Sequence, residues 1–351
     1  MFDRNRNVDV VNIPNSLNQP FYIESLLVID PFIGANTSPI FNYKPIDKAC
    51  LGKCFEYNPG AFDADNDSLS YELTDCRGYN GSSYGPIPNY TYPDAIGGGT
   101  FGINPIKGLI SWCAPQKLGE YNFAFIIREW RKNTNGNYIC IGYVLRDMQI
   151  QVNSCASDDN HPPVIDIPQD TCVEAGTLIN KNIFIHDPDP GNVVIVEAES
   201  GAMESPSPQA VISNTMGTST VSNQPVGFYL NFKWQTTCSH VQHLPYYTTF
   251  KASDLSTNKL STYRTYAIRV LPPAPKNISA NPIGGNIYLT WQSSACNPTN
   301  NPIVNYEIYR KNDCSKFTYI PCKTGVPASS GYSLIAEVDG NTLSYTDDGS
   351  N

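Results

Sequence analysis

The chain has 351 residues and a net charge of −9, with 22 Tyr, 28 Pro and 25 Gly but only 16% charged residues. Its 23 basic residues form no run, which argues against a surface that binds a nucleic-acid duplex. No apolar stretch approaches the roughly 20 residues that cross a bilayer, and the N-terminal MFDRNRNVDV lacks the apolar core of a signal peptide.

The apolar residues follow a period of two along most of the chain. The segments YNFAFIIREW, NVVIVEAE and GFYLNFKW alternate in this way, whereas no window has helical spacing over three turns. Abundant Pro, Gly, Asn and Ser between these segments favour tight turns. The sequence therefore predicts that the whole chain is β.

The chain contains two divergent copies of one unit. NTSPIF is echoed by NHPPVI and DAD by DPD, each 124 positions later, and LISWC is echoed by NFKWQTTC. We expect residues 36–155 and 156–271 to be these two copies, separated by the joint CASDDNHPP. Residues 1–35 contain the strand-like DVVNI and FYIESLLVI, and we expect them to be the tail of a preceding β domain.

Eleven cysteines lie mostly apart and include no CxxC pair, which favours disulfides made in an oxidising compartment. Disulfides indicate secretion, whereas no signal peptide is visible at the N-terminus. The two observations agree if the chain is an internal piece of a longer secreted protein. We expect Cys172 to pair with Cys238, the other cysteine of the second copy. Pairing of Cys50 with Cys76 is a guess among many alternatives in the first copy.

The segment FDADNDSLSY places three carboxylates two positions apart, at Asp63, Asp65 and Asp67. Closely spaced carboxylate and carbonyl oxygens suit Ca²⁺, a hard cation that takes six to eight oxygen ligands. An EF-hand is excluded, because Ser68 stands where its Gly is needed and Thr74 where its Glu is needed. The alternative is that these residues cap a turn. The same two interpretations apply to the second copy and the joint, at Asp187, Asp189, Asp158, Asp159 and Asn160.

The two copies resemble cadherin-like repeats of the immunoglobulin sandwich. The resemblance rests on AFDADNDSLSYEL, FGINPIKGLISW and GEYNFAFIIREW in the first copy, and on VEAGTLINKNIFIHDPDPGNVVIVEAE in the second. It implies calcium shared between the joint, the acidic loop and an upstream Glu, which is Glu174 in the second copy. The first copy has no equivalent Glu near Cys50.

Residues 272–351 resemble a fibronectin type III domain that is incomplete at its C-terminal end. The segments NIYLTW and NYEIYR carry this resemblance, and we expect Trp291 and Tyr306 in the core. Together with DTCVEAG and TGVPASSGYSLIAEVDG, the whole chain resembles large surface proteins of the Bacteroidota. These proteins carry a gliding motility-associated C-terminal domain and leave the cell by type IX secretion. The resemblance implies cell-surface display at the outer membrane.

The sequence favours a non-catalytic structural or adhesive role, with calcium stiffening repeats set end to end. No GxSxG, HExxH or P-loop pattern occurs, and zinc at CSHVQH is the weaker interpretation of that segment. Expected partners are neighbouring domains of the same chain, surface glycans or other surface proteins. The alternative is an accessory module of a secreted hydrolase, with sugars stacking on Tyr79, Tyr84, Tyr90 and Tyr92. These tyrosines could instead pack on their own sandwich.

Overall fold

The computed structural model describes residues 2–46, 48–79, 82–133, 136–155, 160–218, 227–296, 303–313 and 325–350. Their regular structure is almost entirely β, so the predicted all-β fold of Ig-like sandwiches is confirmed. Within these residues, no helix is both long and apolar enough to cross a membrane.

The first sandwich pairs a five-stranded sheet with a three-stranded sheet. Its elements are β1 (Phe2–Asn5), β2 (Pro20–Tyr22), β3 (Glu24–Leu27), β4 (Ile40–Phe41), β5 (Lys48–Cys50), β6 (Phe55–Tyr57), β7 (Ala61–Phe62), β8 (Ser68–Thr74), β9 (Arg77–Tyr79), β10 (Tyr84–Pro86), α1 (Pro93–Gly97), β11 (Thr100–Ile103), β12 (Ile110–Cys113), β13 (Gly119–Lys132) and β14 (Tyr138–Asn153), with a 3-10 turn at Ser16–Asn18. The larger sheet has the order β3-β14-β13-β8, with β5 parallel to β14. The smaller sheet has the order β11-β12-β6.

Strand β13 is buried on both of its faces. Phe123 and Phe125 point into the core that contains Trp112, whereas Ala124 and Ile126 alternate with them and belong to a second apolar cluster. Side chains alternate across a sheet, so a continuous apolar run is what a doubly covered strand requires. The cover on the second face must come from another part of the chain.

That cover is the N-terminal segment, which we expected to be the tail of a preceding domain. Val10 and Ile13 pack in the second cluster, and β3 pairs with β14 at the edge of the sheet. Arg6 is buried and forms an ion pair with Asp147 of β14. In this structure, residues 2–35 are therefore part of the first sandwich.

The second sandwich repeats the strand pairing of the first. Its elements are β15 (Val164–Asp166), β16 (Thr171–Glu174), β17 (Leu178–His186), β18 (Val193–Ser200), α2 (Gly201–Glu204), β19 (Val211–Ser213), β20 (Met216–Thr218), β21 (Phe228–Gln235), β22 (Tyr246–Asp254) and β23 (Ser261–Leu271), with a 3-10 turn at Cys238–His240. The sheets have the orders β15-β17-β21-β19 and β16-β23-β22-β18-β20. Strand β16 lies parallel to β23 as β5 lies parallel to β14, and Trp234 fills the core as Trp112 does.

The two sandwiches pack against each other through side chains, rather than standing end to end. Tyr263 of β23 is buried in the core cluster of the first sandwich, in edge-to-face contact with Tyr43 and Tyr57. Arg264 forms an ion pair with Glu56 of β6 at 2.9 Å. Tyr266 and Ile268 of β23 point into the core of the second sandwich, so Tyr263 lies on the opposite face of that strand. The expected end-to-end arrangement is therefore wrong, because the first sandwich packs on a sheet face of the second.

The C-terminal strands form two small sheets. They are β24 (Lys276–Ile283), β25 (Asn286–Gln292), β26 (Asn305–Arg310), β27 (Ser333–Asp339) and β28 (Ser344–Asp347), with a 3-10 turn at Ala328–Ser330. The orders are β24-β25-β28 and β26-β27. Trp291 and Tyr306 are half-buried and meet edge to face, with their ring centroids 5.4 Å apart. The fibronectin type III resemblance stays a prediction.

Three disulfides join described residues, and they correct both predicted pairings. Cys50 pairs with Cys155 rather than with Cys76, which is a buried free thiol. Cys238 pairs with Cys296, so it links the second sandwich to the C-terminal unit rather than to Cys172. The third disulfide joins Cys54 and Cys113.

The Cys172–Cys238 pairing was missed because both cysteines were assigned within one repeat, whereas Cys238 pairs with a cysteine beyond it. Cys50 reaches Cys155 because β5 lies parallel to the end of β14, with Asn153 opposite Cys50. Cys172 is itself in a disulfide. Since Cys238 is bonded to Cys296, its sulfur is not a zinc ligand, and the weaker interpretation of CSHVQH falls.

Candidate metal centre

The acidic loop of the first sandwich connects β7 to β8 and gathers its three aspartates. Asp63, Asp65 and Asp67 each place a carboxylate oxygen within 4.8 Å of the others. Oδ1 of Asp63 accepts the backbone N–H groups of Asp65 at 3.0 Å and Asp67 at 2.9 Å. The loop thus winds around the Asp63 carboxylate, which is only 5% exposed. The prediction that these residues lie together is confirmed.

A fourth carboxylate, Glu129 of β13, was missed in the sequence. It is fully buried, at the point where the pairing register of β13 with β14 shifts. Gly142 stands beside it, and a Cβ at that position would overlap Glu129 Oε2. Asn36 Nδ2 donates to the same oxygen at 3.3 Å. The available signal was a single acidic residue at the end of the apolar run FAFII.

The carboxyl groups of Asp63 and Glu129 are buried, and each has one oxygen without a hydrogen-bond partner. Asp63 Oδ2 and Glu129 Oε1 have no hydrogen-bond partner within the described parts of the chain. Burial, followed by the adjoining Asp63 carboxyl, raises the pKa of Glu129 to about 8. Burial also raises the pKa of Asp63. Such a pair needs a proton or a cation, because two ionised carboxylates in a buried site repel each other.

Asp67 has a different role from its two neighbours in the loop. Arg131 holds both of its oxygens, with Nε at 2.7 Å from Oδ1 and Nη2 at 2.5 Å from Oδ2. The same guanidinium donates to the carbonyl oxygens of Ile33 and Ala35, each at 2.9 Å. Asp67 and Arg131 therefore tie the preceding chain segment to the loop.

Residues 36 and 37 also bind the loop directly. The backbone N–H and the hydroxyl of Thr37 both donate to Asp65 Oδ2, each at 2.7 Å. Asn36 Oδ1 accepts from Arg131 at 3.0 Å while its amide nitrogen reaches Glu129. The oxygen-rich centre is thus built from a linker, a loop and a strand.

The second sandwich has an equivalent centre with the same internal contacts. Asp187, Asp189 and Asn160 stand 124 positions after Asp63, Asp65 and Asn36, and Asp254 ends β22 as the counterpart of Glu129. The backbone N–H of His161 donates to Asp189 Oδ2 at 2.5 Å, as that of Thr37 does to Asp65. Asn160 Nδ2 donates to Asp254 Oδ2 at 2.9 Å.

The second centre differs in having more internal hydrogen bonds. Asp254 accepts the backbone N–H groups of Ser256 at 2.9 Å and Leu260 at 3.1 Å. Burial raises the pKa of Asp187 to about 6. Asp158 and Asp159 of the predicted site lie outside the described residues.

Glu174 does not join the second centre. Strand β16 lies parallel to β23 and pairs Glu174 with Leu271, ten residues from Ser261 at the other end of β23. At about 3.3 Å per residue, that separation is roughly 30 Å along the strand. Asp254 pairs into the sheet close to the Ser261 end. The predicted sharing of one ion between Glu174 and Asp187 is therefore wrong.

The four tyrosines proposed for sugar stacking do not form one row. Tyr79, which is 43% exposed, and Tyr84 pack together, and Tyr84 stacks on Tyr22. Tyr90 turns inward and donates its hydroxyl to Asn122 O at 3.3 Å. Tyr92 packs on Tyr90 and Phe101. Of the four, Tyr79 is exposed and the other three are half-buried.

No protein-family model and no curated protein matches this chain. Several solved structures do. The protocadherin gammaB4 extracellular domain matches over 87% of this chain and 44% of its own length, at 14% identity and a TM-score of 0.27. Human CDH23 EC21–23 matches over 77% and 89% of the two chains, at 13% identity and a TM-score of 0.23.

Another match is the sialic acid binding region of a Streptococcus sanguinis adhesin. It covers 77% of this chain and 95% of that one, at 10% identity and a TM-score of 0.23. The chain spans half or less of the length of the first structures it matches. These identities and TM-scores are too low to transfer a ligand or an activity to this chain.

Proposed function

We propose that this chain is a non-catalytic, extracellular segment of a larger cell-surface adhesion protein, and that calcium stabilises its sandwiches at their acidic loops. Its β-sandwiches and the disulfides among its described residues support an extracellular location. Neighbouring domains and surface glycans or proteins are its proposed partners. Display on a bacterial outer membrane through type IX secretion rests on the sequence resemblance alone.

The observation that supports the calcium proposal is a pair of buried oxygens, Asp63 Oδ2 and Glu129 Oε1. Neither has a hydrogen-bond partner among the described residues. An ionised carboxylate loses its hydration on burial and needs a compensating charge. Arg131 neutralises Asp67. Within the described chain, ion pairs at this centre are found for Asp67 only.

The donor set fits a hard cation. Asp63, Asp65 and Glu129 would hold it, and their carboxylate oxygens are ligands that Ca²⁺ prefers. The ion would supply the positive charge that allows the buried carboxyls to ionise. Asn36 and Thr37 already contact the centre, so the bound state would fix this linker on the sandwich.

This proposal changes the mechanical role expected from the sequence. The two sandwiches contact each other directly, through Tyr43, Tyr263, Glu56 and Arg264. Calcium would act inside each sandwich, where a linker meets the acidic loop. The proposed stiffening is therefore local to each centre.

The test is a calorimetric calcium titration of the full chain, with magnesium as the comparison ion. Thermal melts are recorded in EDTA and at up to about 5 mM calcium, because extracellular sites bind as weakly as about 10⁻³ M. We expect saturable calcium binding that raises the melting temperature, and its loss at this centre in Asp63→Asn and Glu129→Gln. Glu72→Gln, an exposed carboxylate on β8, is the matched control.

Two results would contradict the proposal. The first is no binding heat and no change in melting temperature at millimolar calcium, which would leave the carboxyl pair to share a proton. The second is equal binding in Asp63→Asn, Glu129→Gln and Glu72→Gln, which would place the ion elsewhere.

A further inference from the structure

A cleft lies between the two sandwiches, and neither the acidic centre nor the interface core accounts for it. It has a cavity volume of about 410 Å³. One wall comes from β7, β8 and residues 105–107, and the other from residues 199–201 and 242–249. Ligand pockets of about 300–1,000 Å³ occur preferentially at domain interfaces. The size and position of the cleft are those of a small-molecule site.

Contacts on either side hold the cleft open. Tyr43 donates its hydroxyl to Thr249 O at 2.7 Å across the interface. Lys107 reaches across to Asp170 at 2.9 Å and to Thr265 O at 3.2 Å. Phe62 lies so close to Gly201 that a Cβ there would come within 2.9 Å of its ring. The walls are therefore fixed by the same contacts that join the sandwiches.

Aromatic rings form the apolar part of the lining. Tyr71 of β8 is largely buried and lies beside Gly108, where a Cβ would come within 2.6 Å of its ring. Tyr247 of β22 lines the opposite wall and is half-buried, and Phe62 completes the set. Aromatic side chains of this kind offer a flat apolar face together with a polar edge.

The polar part of the lining is mostly neutral. Asn42, Asn66, Ser68 and Gln242 contribute amides and a hydroxyl. Within the described residues, the side chains of Asn42, Asn66 and Ser68 make no hydrogen bond. They line the cleft with donors and acceptors that a ligand can use.

The charged groups in the lining argue against an anionic ligand. Among the described lining residues Lys107 is the one cation, and its ammonium is already held by Asp170 and Thr265. Asp63 and Asp67 lie in one wall of the cleft and Glu199 in the opposite wall. Phosphates and carboxylates would therefore be repelled, whereas an uncharged ligand would not.

We propose that this cleft binds a neutral glycan, of about one or two sugar rings, with a ring face on Tyr247. Sugar rings combine an apolar face with peripheral hydroxyls, which matches aromatic rings surrounded by free amides and hydroxyls. The site differs from the surface tyrosines around Tyr79. It goes beyond calcium binding, and it gives an adhesion segment a ligand class.

The test uses the full chain and four probes: maltose, cellobiose, lactose and N,N′-diacetylchitobiose. Each is titrated to about 20 mM by calorimetry and by saturation-transfer NMR, since one stacked ring and a few hydrogen bonds give affinities near 1 mM. Every titration is run both in EDTA and in calcium. Sugar binding in EDTA would show that the cleft works even if the calcium proposal fails.

We expect at least one probe to bind saturably, and Tyr247→Ala to weaken that binding by about tenfold or more. Asn42→Ala is the second variant, because it removes one cleft amide without touching a core ring. Tyr79→Ala is the matched control and should bind as the wild type does. Melting curves of each variant confirm folding.

Three results would overturn the proposal. No binding of any probe would remove the neutral glycan class. Binding lost in Tyr79→Ala but kept in both Tyr247→Ala and Asn42→Ala would place the site on the surface tyrosines. Binding of the neutral peptide Ala-Pro-Tyr-Pro-Ala without binding of any sugar would make the cleft a peptide site.

Discussion

The contact between the sandwiches predicts a large effect of one side chain, Tyr263. Its ring is fully buried, although it belongs to the second sandwich and packs in the core of the first. It meets Tyr43 at a centroid distance of 5.6 Å and Tyr57 at 6.3 Å, both edge to face. Replacing Tyr263 with Ala removes this ring from both partners at once.

The expected cost follows from the burial of that ring. Truncating a buried aromatic residue to Ala destabilises a protein by about 3–5 kcal/mol, and each edge-to-face pair contributes about 0.5–1.5 kcal/mol within such a total. The hydroxyl should give no stabilisation and can cost some, because Tyr263 Oη is buried without a hydrogen-bond partner among the described residues. Tyr263→Phe should therefore be neutral or stabilising by about 1 kcal/mol.

Native-state hydrogen exchange can measure this cost where it arises. We expect the free energy of opening at the amides of β6 and β23 to fall by about 3–5 kcal/mol in Tyr263→Ala, with little change in β24 to β28. Tyr263→Phe is the matched control. A fall of less than about 1 kcal/mol in the free energy of opening in Tyr263→Ala would refute the reasoning, because removing a ring from a shared core should destabilise it by more than that.

Three further predictions concern other parts of the molecule. Arg6→Met leaves the Asp147 carboxylate buried without its ion-pair partner and should lower the free energy of unfolding in urea by about 3–5 kcal/mol. The double variant Arg6→Met/Asp147→Leu should recover much of that loss. A loss near zero in Arg6→Met would contradict the placement of the N-terminal segment. The pKa of Glu129 is raised from 4.5 to about 8, so in EDTA its contribution to the free energy of unfolding is complete below about pH 4.5 and is lost as the pH rises through 8. Glu129→Gln should flatten this dependence of stability on pH. The same pH profile in the variant and the wild type would contradict the prediction. The double variant Cys238→Ser/Cys296→Ser opens a loop of 58 residues and should lower the free energy of unfolding by about 2–4 kcal/mol. The loss should appear as faster proteolysis of the C-terminal unit. Unchanged proteolysis would show that the disulfide does not stabilise the contact between the second sandwich and the C-terminal unit.

The sequence was most informative where a local pattern determines the structure. Period-two alternation predicted strands such as β18 and β21, and the DAD spacing predicted a loop that gathers its carboxylates. Both depend on neighbours within a few residues. The repeat was visible for the same reason, because equivalent segments kept their spacing of 124 positions.

Long-range contacts account for what the sequence did not predict. The run FAFII in β13 already required a cover on both faces, but nothing local identifies Val10 and Ile13 as that cover. Glu129 reads as one exposed acid at the end of a strand until Gly142 opposite makes room for its carboxylate. Neither relation has a spacing that a single sequence reveals.

The two acidic centres and the interface together suggest how load would pass through this segment. Each centre binds a linker, through Asn36 and Thr37 in the first sandwich and through Asn160 and His161 in the second. The interface holds the two sandwiches together by direct contacts. The contacts of each linker with its acidic centre are therefore separate from the contacts of the interface. Calcium at a linker would raise the force needed to detach that linker while leaving the packing of the sandwiches unchanged, which is why its effect should appear in local opening rather than in the geometry of the pair.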